Sequence, residues 1–302
     1  MTTTPRRHGF LWLQALLTAV AFMLLAGLAA AGVETDFETT QKTAEQGEAS
    51  AQYALGVMYA KGLGTPQDDR QAFAWYQKAA AQGHALSQYN LGIRYVKGVG
   101  VPQDYQQAIG WYEKAAAQGL APAQYNLGVM LEKGLGAPTD CPQAVAWYRK
   151  AAEQGHAEAQ YHLGTMFDEG ACLAPDEKKA AFWLKKAADR GEAKAQVSLG
   201  VMYAKGEGIA ADAKEAVAWF RKAAMQGERT AQYNLALMNA KGQGIPQDDA
   251  KAYIWFSLAA AQGEREAVEL RDLAAAKLTS EQLTTAKRIA AEIQAKIDTG
   301  TP

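Results

Sequence analysis

Six of the seven tryptophans stand 36 residues apart, at Trp75, Trp111, Trp147, Trp183, Trp219 and Trp255. Each lies in a phrase such as Ala72-Phe73-Ala74-Trp75-Tyr76-Gln77-Lys78-Ala79-Ala80-Ala81-Gln82-Gly83. A fixed period of this size constrains the chain more than any other feature. One short helical unit cannot bury its apolar face alone, so units stack and each contacts its neighbours. Length alone would allow one or two globular domains; the repeat replaces that reading with a single stack.

Six full units follow the register, at 49–84, 85–120, 121–156, 157–192, 193–228 and 229–264. Each has two helical patterns, A and B. In the first unit helix A places Ala51, Gln52, Leu55, Gly56 and Tyr59 on one face. Gly56 recurs as Gly92, Gly128, Gly164 and Gly200. A glycine inside a helix costs about 1 kcal/mol against alanine, so its recurrence predicts close helix approach. Helix A should end at Gly62 and its counterparts in a left-handed turn. Asp68, Asp104, Asp140, Asp176, Asp212 and Asp248 are placed to cap helix B. Gln71, Gln107, Gln143 and Glu215 stand three residues later, at the spacing of a capping box. Ala72 and Trp75 face inward on helix B, and no strand pattern interrupts the repeats. The expected fold class is all-α.

The flanks read as caps. Residues 33–48 look like an N-terminal capping helix, with Thr39 in the tryptophan position. After Glu264 the register fails, because Arg271 and Asp272 replace the expected leucine and glycine. Thr279-Ser280-Glu281-Gln282 offers a new helix start, and Leu283, Ala286, Ile289, Ile293 and Ile297 make one apolar stripe. Residues 265–302 are therefore expected to be C-terminal capping helices.

Residues 1–31 are a different text. Arg6 and Arg7 precede an apolar run from Phe10 to Leu28, interrupted by Gln14 and Thr18, and Ala29-Ala30-Ala31-Gly32 follows. This is the layout of a secretory signal peptide. The rival reading is an uncleaved N-terminal anchor, since Phe10–Ala31 is long enough to cross a bilayer. Both readings put the repeats outside the cytoplasm, either periplasmic or secreted, or anchored in the inner membrane and facing the periplasm. Membrane contact is expected only with an uncleaved leader. The formal net charge is −1 and there is no lysine/arginine block, so nucleic acid is not an expected partner.

Little in the chain points to chemistry. One aspartate per repeat at a cap position reads as capping, and the tryptophan ladder reads as core packing. The Gly-x-Gly loops lack the Gly-Lys-Ser/Thr of a phosphate loop. His84 and His156 read as solvated turn residues, and with His162 they show no metal-ligand spacing. Neither Ser-x-x-Lys nor Gly-x-Ser-x-Gly occurs. The expectation is a non-enzymatic protein without cofactor or metal. Cys141 and Cys172 map to the same edge of neighbouring repeats. In an oxidising compartment they could pair; the alternative is two independent thiols.

The other face of helix A holds the candidate binding residues. One register position gives Tyr89, Tyr125, Tyr161 and Tyr233. The next gives Asn90, Asn126, His162, Ser198 and Asn234. A third gives Lys97, Lys133, Glu169, Lys205 and Lys241. Asparagine both donates and accepts, which suits an extended peptide backbone, and lysine favours an acidic partner. The competing reading is that asparagine bonds the neighbouring repeat and tyrosine merely packs.

The run Ala-x-Ala-Gln-Tyr-x-Leu-Gly, then Gly-x-Gly, Asp, and Ala-x-x-Trp-x-x-Lys-Ala-Ala-x-Gln-Gly resembles the Sel1-like repeat, a relative of the tetratricopeptide repeat. The resemblance covers 49–264. It implies a right-handed α/α superhelix whose helix-A face lines a concave groove. It also implies an exported scaffold or adaptor that binds a protein or peptide in a bacterial envelope process. A few cysteine-rich members are linked to peptidoglycan fragments or β-lactams, which gives an alternative reading as a binder with weak hydrolase activity. The chain departs from those members in having two cysteines in all.

Overall fold

The computed structural model describes residues 36–300, and fifteen α-helices and no strand occur among the described residues. The expected signal peptide or anchor at 1–31, the first residues of the N-terminal cap (33–35) and the last two residues lie outside this range. The chain divides into two compact units, Met1–Thr139 and Asp140–Pro302. In the first, α1 (36–45) precedes α2 (Ala49–Lys61), α3 (Asp69–Ala81), α4 (Ala85–Lys97), α5 (Tyr105–Ala117) and α6 (Ala121–Lys133). The second holds α7 (Cys141–Glu153), α8 (Ala157–Glu169), α9 (Glu177–Asp189), α10 (Ala193–Lys205) and α11 (Ala213–Met225). It continues with α12 (Arg229–Lys241), α13 (Asp249–Ala261), α14 (Arg265–Ala275) and α15 (Ser280–Thr299). Within each unit, helices adjacent in sequence pack together, except that the last helix, α15, packs on α13.

Local chemistry sets the helix limits. The A helices stop at glycines in the left-handed conformation, for example Gly62 at φ 69° and Gly98 at φ 68°. The B helices start at the aspartates, whose side chains accept from backbone N–H groups of the first turn, as Asp104 does from Gln107 at 3.0 Å. The expected capping boxes do not form there. The aspartate N–H is already used, donating to a helix-A carbonyl nine residues earlier: Asp68 to Tyr59 at 2.9 Å, Asp104 to Tyr95 at 3.0 Å and Asp212 to Tyr203 at 2.9 Å. The glutamine three residues on has no donor left to reach. The capping box appears instead at α15, between Thr279 and Gln282.

A glutamine ladder ties repeat to repeat. Gln52, Gln88, Gln160, Gln196 and Gln232 are buried, and each donates to a carbonyl eight residues earlier, as Gln88 does to Ala80 at 3.2 Å. Their Oε1 atoms accept from a glutamine thirty residues later: Gln82 to Gln52 at 2.8 Å, Gln118 to Gln88 at 2.7 Å, Gln226 to Gln196 and Gln262 to Gln232, both at 2.9 Å. Repeat four has Arg190 in the donor position, and the buried Oε1 of Gln160 has no partner.

Gly56, Gly92 and Gly200 of the A helices make room for rings, and Gly164 for Leu184. A Cβ on Gly92 would fall 2.4 Å from the Tyr112 ring. The tryptophans are less uniform than core packing predicts. Trp75, Trp219 and Trp255 are buried, whereas Trp111, Trp147 and Trp183 are half-buried. Over several of the rings lies the lysine one turn on: Lys78 is 3.5 Å from the Trp75 centroid, Lys114 4.1 Å from Trp111 and Lys222 3.7 Å from Trp219.

At the N-terminal end, Ala44 of α1 packs with Leu55 and Trp75, and its carbonyl accepts from Gln52, so α1 occupies the place of a preceding helix B. At the other end Ala286 and Ala290 of α15 are buried with the helices of repeat six, and Leu283, Ile289 and Ile293 pack beside them.

Candidate functional site

The helix-A face has to be judged residue by residue, because two uses compete for its asparagines. Tyr76 and Tyr112 of the B helices are buried against it. Asn90 hydrogen-bonds the Tyr76 phenol, and Asn126 that of Tyr112. Burial pushes both phenols above their usual range, and the asparagine bonds act in the opposite sense. His162, in the same register position, stacks on Tyr148 with centroids 5.3 Å apart. Asn90 and Asn126 thus bind the preceding repeat, while Asn234 meets the Phe220 register position, which has no hydroxyl. Asn234 is half-buried and its side chain makes no hydrogen bond among the described residues.

Two cavities open on this face in the first unit. One, of about 250 Å³, is lined by Tyr76, Asn90, Ile93, Arg94, Lys97 and Val99. The other, of about 320 Å³, includes Ile93, Val96, Lys97, Tyr112, Asn126 and Val129. Both share Ile93 and Lys97, so the structure brings Asn90, Lys97 and Asn126 together around an apolar floor. Tyr89 and Tyr125 are half-buried and line neither cavity; the Tyr89 ring lies 5.9 Å from that of Tyr112. Lys97 and Lys133 are exposed and make no ion pair among the described residues.

Arg94 lines the smaller cavity, its charge paired within the fold. It stands in the register position of Met58, Met130, Met166, Met202 and Met238. Though 8% exposed, it is well partnered: Nη1 meets Asp69 Oδ1 at 3.1 Å, the Asp69 carbonyl at 3.2 Å and the Val99 carbonyl at 3.2 Å.

The second unit presents the same register positions differently. Lys205 pairs with Glu207 at 3.4 Å, while Lys241 is exposed without an ion pair among the described residues. Tyr161 packs edge-on against His162, and burial, with Glu169, Glu192 and Glu228 nearby, raises its pKa. Tyr233 donates to Glu266 at 2.7 Å and its pKa is pushed up to about 12, by burial and then by that carboxylate.

His84 and His156 are not solvated turn residues. Both are half-buried N-caps whose Nδ1 atoms accept from the N–H of Ser87 and Ala159. No cluster of three or more His, Cys, Asp or Glu suited to a metal occurs among the described residues. Cys141 and Cys172 form a disulfide with Cα atoms 5.3 Å apart.

Sequence reasoning missed Tyr76 and Tyr112. The signal was present as an offset of fourteen residues: Tyr76 with Asn90, Tyr112 with Asn126, Tyr148 with His162, and then Leu184 with Ser198.

The Sel1 repeat family model matches residues 49–84, 85–120, 121–156, 157–192, 193–228 and 230–264. The chain belongs to the Sel1 repeat family. Its fold is accordingly an all-α solenoid of six repeats, and Sel1 repeat proteins are in general protein-interaction scaffolds. A Sel1 repeat protein from Oxalobacter formigenes is 33% identical, with a TM-score of 0.68, over 79% of this chain and 96% of its own. A protective antigen present in uropathogenic Escherichia coli strains and displaying an SLR fold is also 33% identical, with a TM-score of 0.58 over 87% of this chain. This Sel1 repeat chain spans 64% of that antigen's length, less than two thirds. No curated protein matches it.

Proposed function

We propose that this Sel1 repeat chain is an exported, non-enzymatic scaffold that binds a protein or peptide in a bacterial envelope process, using the concave helix-A face. The observation that carries the reading is the pair of neighbouring cavities that share Lys97, apolar at Ile93 and Val96 and cationic at Lys97. That combination fits an extended segment with alternating apolar and acidic residues. Asn90 and Asn126 shape the groove by holding the tyrosines beneath it. In the second unit, Asn234 makes no side-chain hydrogen bond among the described residues and can offer a donor and an acceptor.

Export is supported by the layout of residues 1–31 and by the Cys141–Cys172 disulfide, which persists in an oxidising compartment. Among the described residues no helix is long and apolar enough to cross a membrane. Intact-mass measurement of the exported protein separates a cleaved signal from an anchor.

The deciding experiment is crosslinking in the envelope fraction with the parent chain and Lys97→Glu. Loss of a specific crosslinked partner with an unchanged helical melt is the expected result. An identical crosslinking pattern in the variant would remove this face from the function.

A further inference from the structure

A cavity of about 560 Å³ opens in the second unit and shares no lining residue with the two helix-A cavities. Its walls include Arg149 of α7, Leu173 and Pro175 of the loop after α8, and Asp176, Lys179 and Phe182 of repeat four. Phe182 is 52% exposed. Its register position holds Ala74, Gly110, Ala146 and Ala218 in four other repeats and Ile254 in the sixth. Large apolar side chains therefore occur here in repeats four and six.

Repeat six shows what such a side chain is for. Ile254 is buried, and α15 lies over it: the cap residue Asp248 and Lys251 and Ile254 of α13 face Glu281, Ala286 and Ile289 of α15. Asp176, Lys179 and Phe182 stand in the same three register positions. The same ion pair recurs as well, with Lys179–Asp176 and Lys251–Asp248 both at 2.9 Å. Repeat four thus repeats the surface that docks α15, while its own aromatic ring stays half in water. Exposed apolar groups rimmed by polar ones mark interaction sites.

Charge limits what can fit. Arg149 and Lys178 make no ion pair among the described residues, and Lys186 lies 4.7 Å from the centroid of the Phe182 ring. The resident helix of repeat six has Glu281 in its first turn. The disulfide ties the start of α7 to the loop carrying Leu173 and Pro175, fixing two walls of the cavity before anything binds.

We infer that repeat four docks an amphipathic helix of a partner protein, with small and branched apolar residues at i and i+3 over Phe182 and an acidic first turn toward Arg149. This surface is separate from the helix-A groove. A fluorescently labelled peptide of residues 278–299 is the probe, since that segment already fits the equivalent surface. Titrated onto the intact chain, it binds saturably, and Phe182→Ala and Arg149→Glu each weaken it about tenfold, the scale of one anchoring residue. Both side chains lie at the surface, and Arg149→Glu carries the test if Phe182→Ala alters the melt. No saturable binding overturns the inference. So does binding that survives both variants and is altered by Ile254→Ala, because the peptide would then have displaced α15. Concentration-dependent dimerisation lost in Phe182→Ala would assign the surface to a second copy of this chain, and equally overturns it.

Discussion

Cys172 follows Cys141 by 31 residues, and the bond between them stands where other repeats make a bare backbone contact. The same offset joins Asp69 to Gly100, Tyr105 to Gly136, Glu177 to Gly208 and Ala213 to Gly244. A Cβ on Gly100 would fall 2.1 Å from the Asp69 carbonyl oxygen, and one on Gly208 2.2 Å from that of Glu177. Each glycine therefore abuts the first residue of the preceding helix B. Cys172 keeps the left-handed backbone of those glycines, at φ 63°, a conformation that costs a residue with a Cβ about 1 kcal/mol or more. The covalent bond offsets that cost.

This arrangement predicts an order among cysteine variants. Cys141→Ser with Cys172→Ser should lower stability by about 3–4 kcal/mol, the scale expected for closing a loop of this length. Cys141→Ser with Cys172→Gly should be about 1 kcal/mol more stable than that pair, since glycine adopts the turn without strain. Urea unfolding of the three proteins measures the order. Equal midpoints for the two double variants would show that the backbone at 172 carries no strain.

Arg190 interrupts the glutamine ladder and leaves Gln160 Oε1 buried without a partner. Arg190→Gln should supply the missing donor and raise stability by about 1 kcal/mol. The readout is the midpoint of thermal unfolding, which should rise in Arg190→Gln and stay level in Arg190→Ala.

The bond from Asn126 to Tyr112 should appear as coupling between the two sites. Tyr112→Phe and Asn126→Ala should each destabilise the chain. In a double-mutant cycle they should couple by about 1 kcal/mol. Strict additivity would mean that Asn126 serves the groove alone.

His84 gives the chain an acid-sensitive cap. Its Nδ1 accepts from the Ser87 N–H at 3.3 Å, which needs a neutral ring. Burial lowers its pKa below the ordinary 6.5. The native state therefore favours the neutral form, so this contribution is complete above pH 6.5 and is lost as pH falls through the native pKa. His156 behaves alike, with Glu158 at 3.3 Å partly opposing the shift. His84→Asn caps without titrating. It should flatten part of the acid-side fall in Tm, and an unchanged pH profile would rule this cap out as its source.

The tryptophan period and the residues locked to it were legible without coordinates. Leu55, Gly56, Gly62 and Asp68 each have one local task, namely burial, close approach, left-handed termination or capping, and a short window of sequence specifies each. The capping boxes failed because the Asp68 N–H is taken by Tyr59, a residue on the other helix of the hairpin. Asn90 was open to two readings because its partner, Tyr76, lies on another helix fourteen residues away.

The sequence by itself determined the repeat length, the helix ends and the family, because these follow from periodicity and short-range backbone chemistry. The tertiary structure decided which polar groups remain free. It assigned Asn90 and Asn126 to buried phenols, paired Lys205, left Lys97 unpaired, and exposed Phe182 where Ile254 is covered. Those outcomes depend on which side chains arrive from a neighbouring helix, and packing across helices selects them.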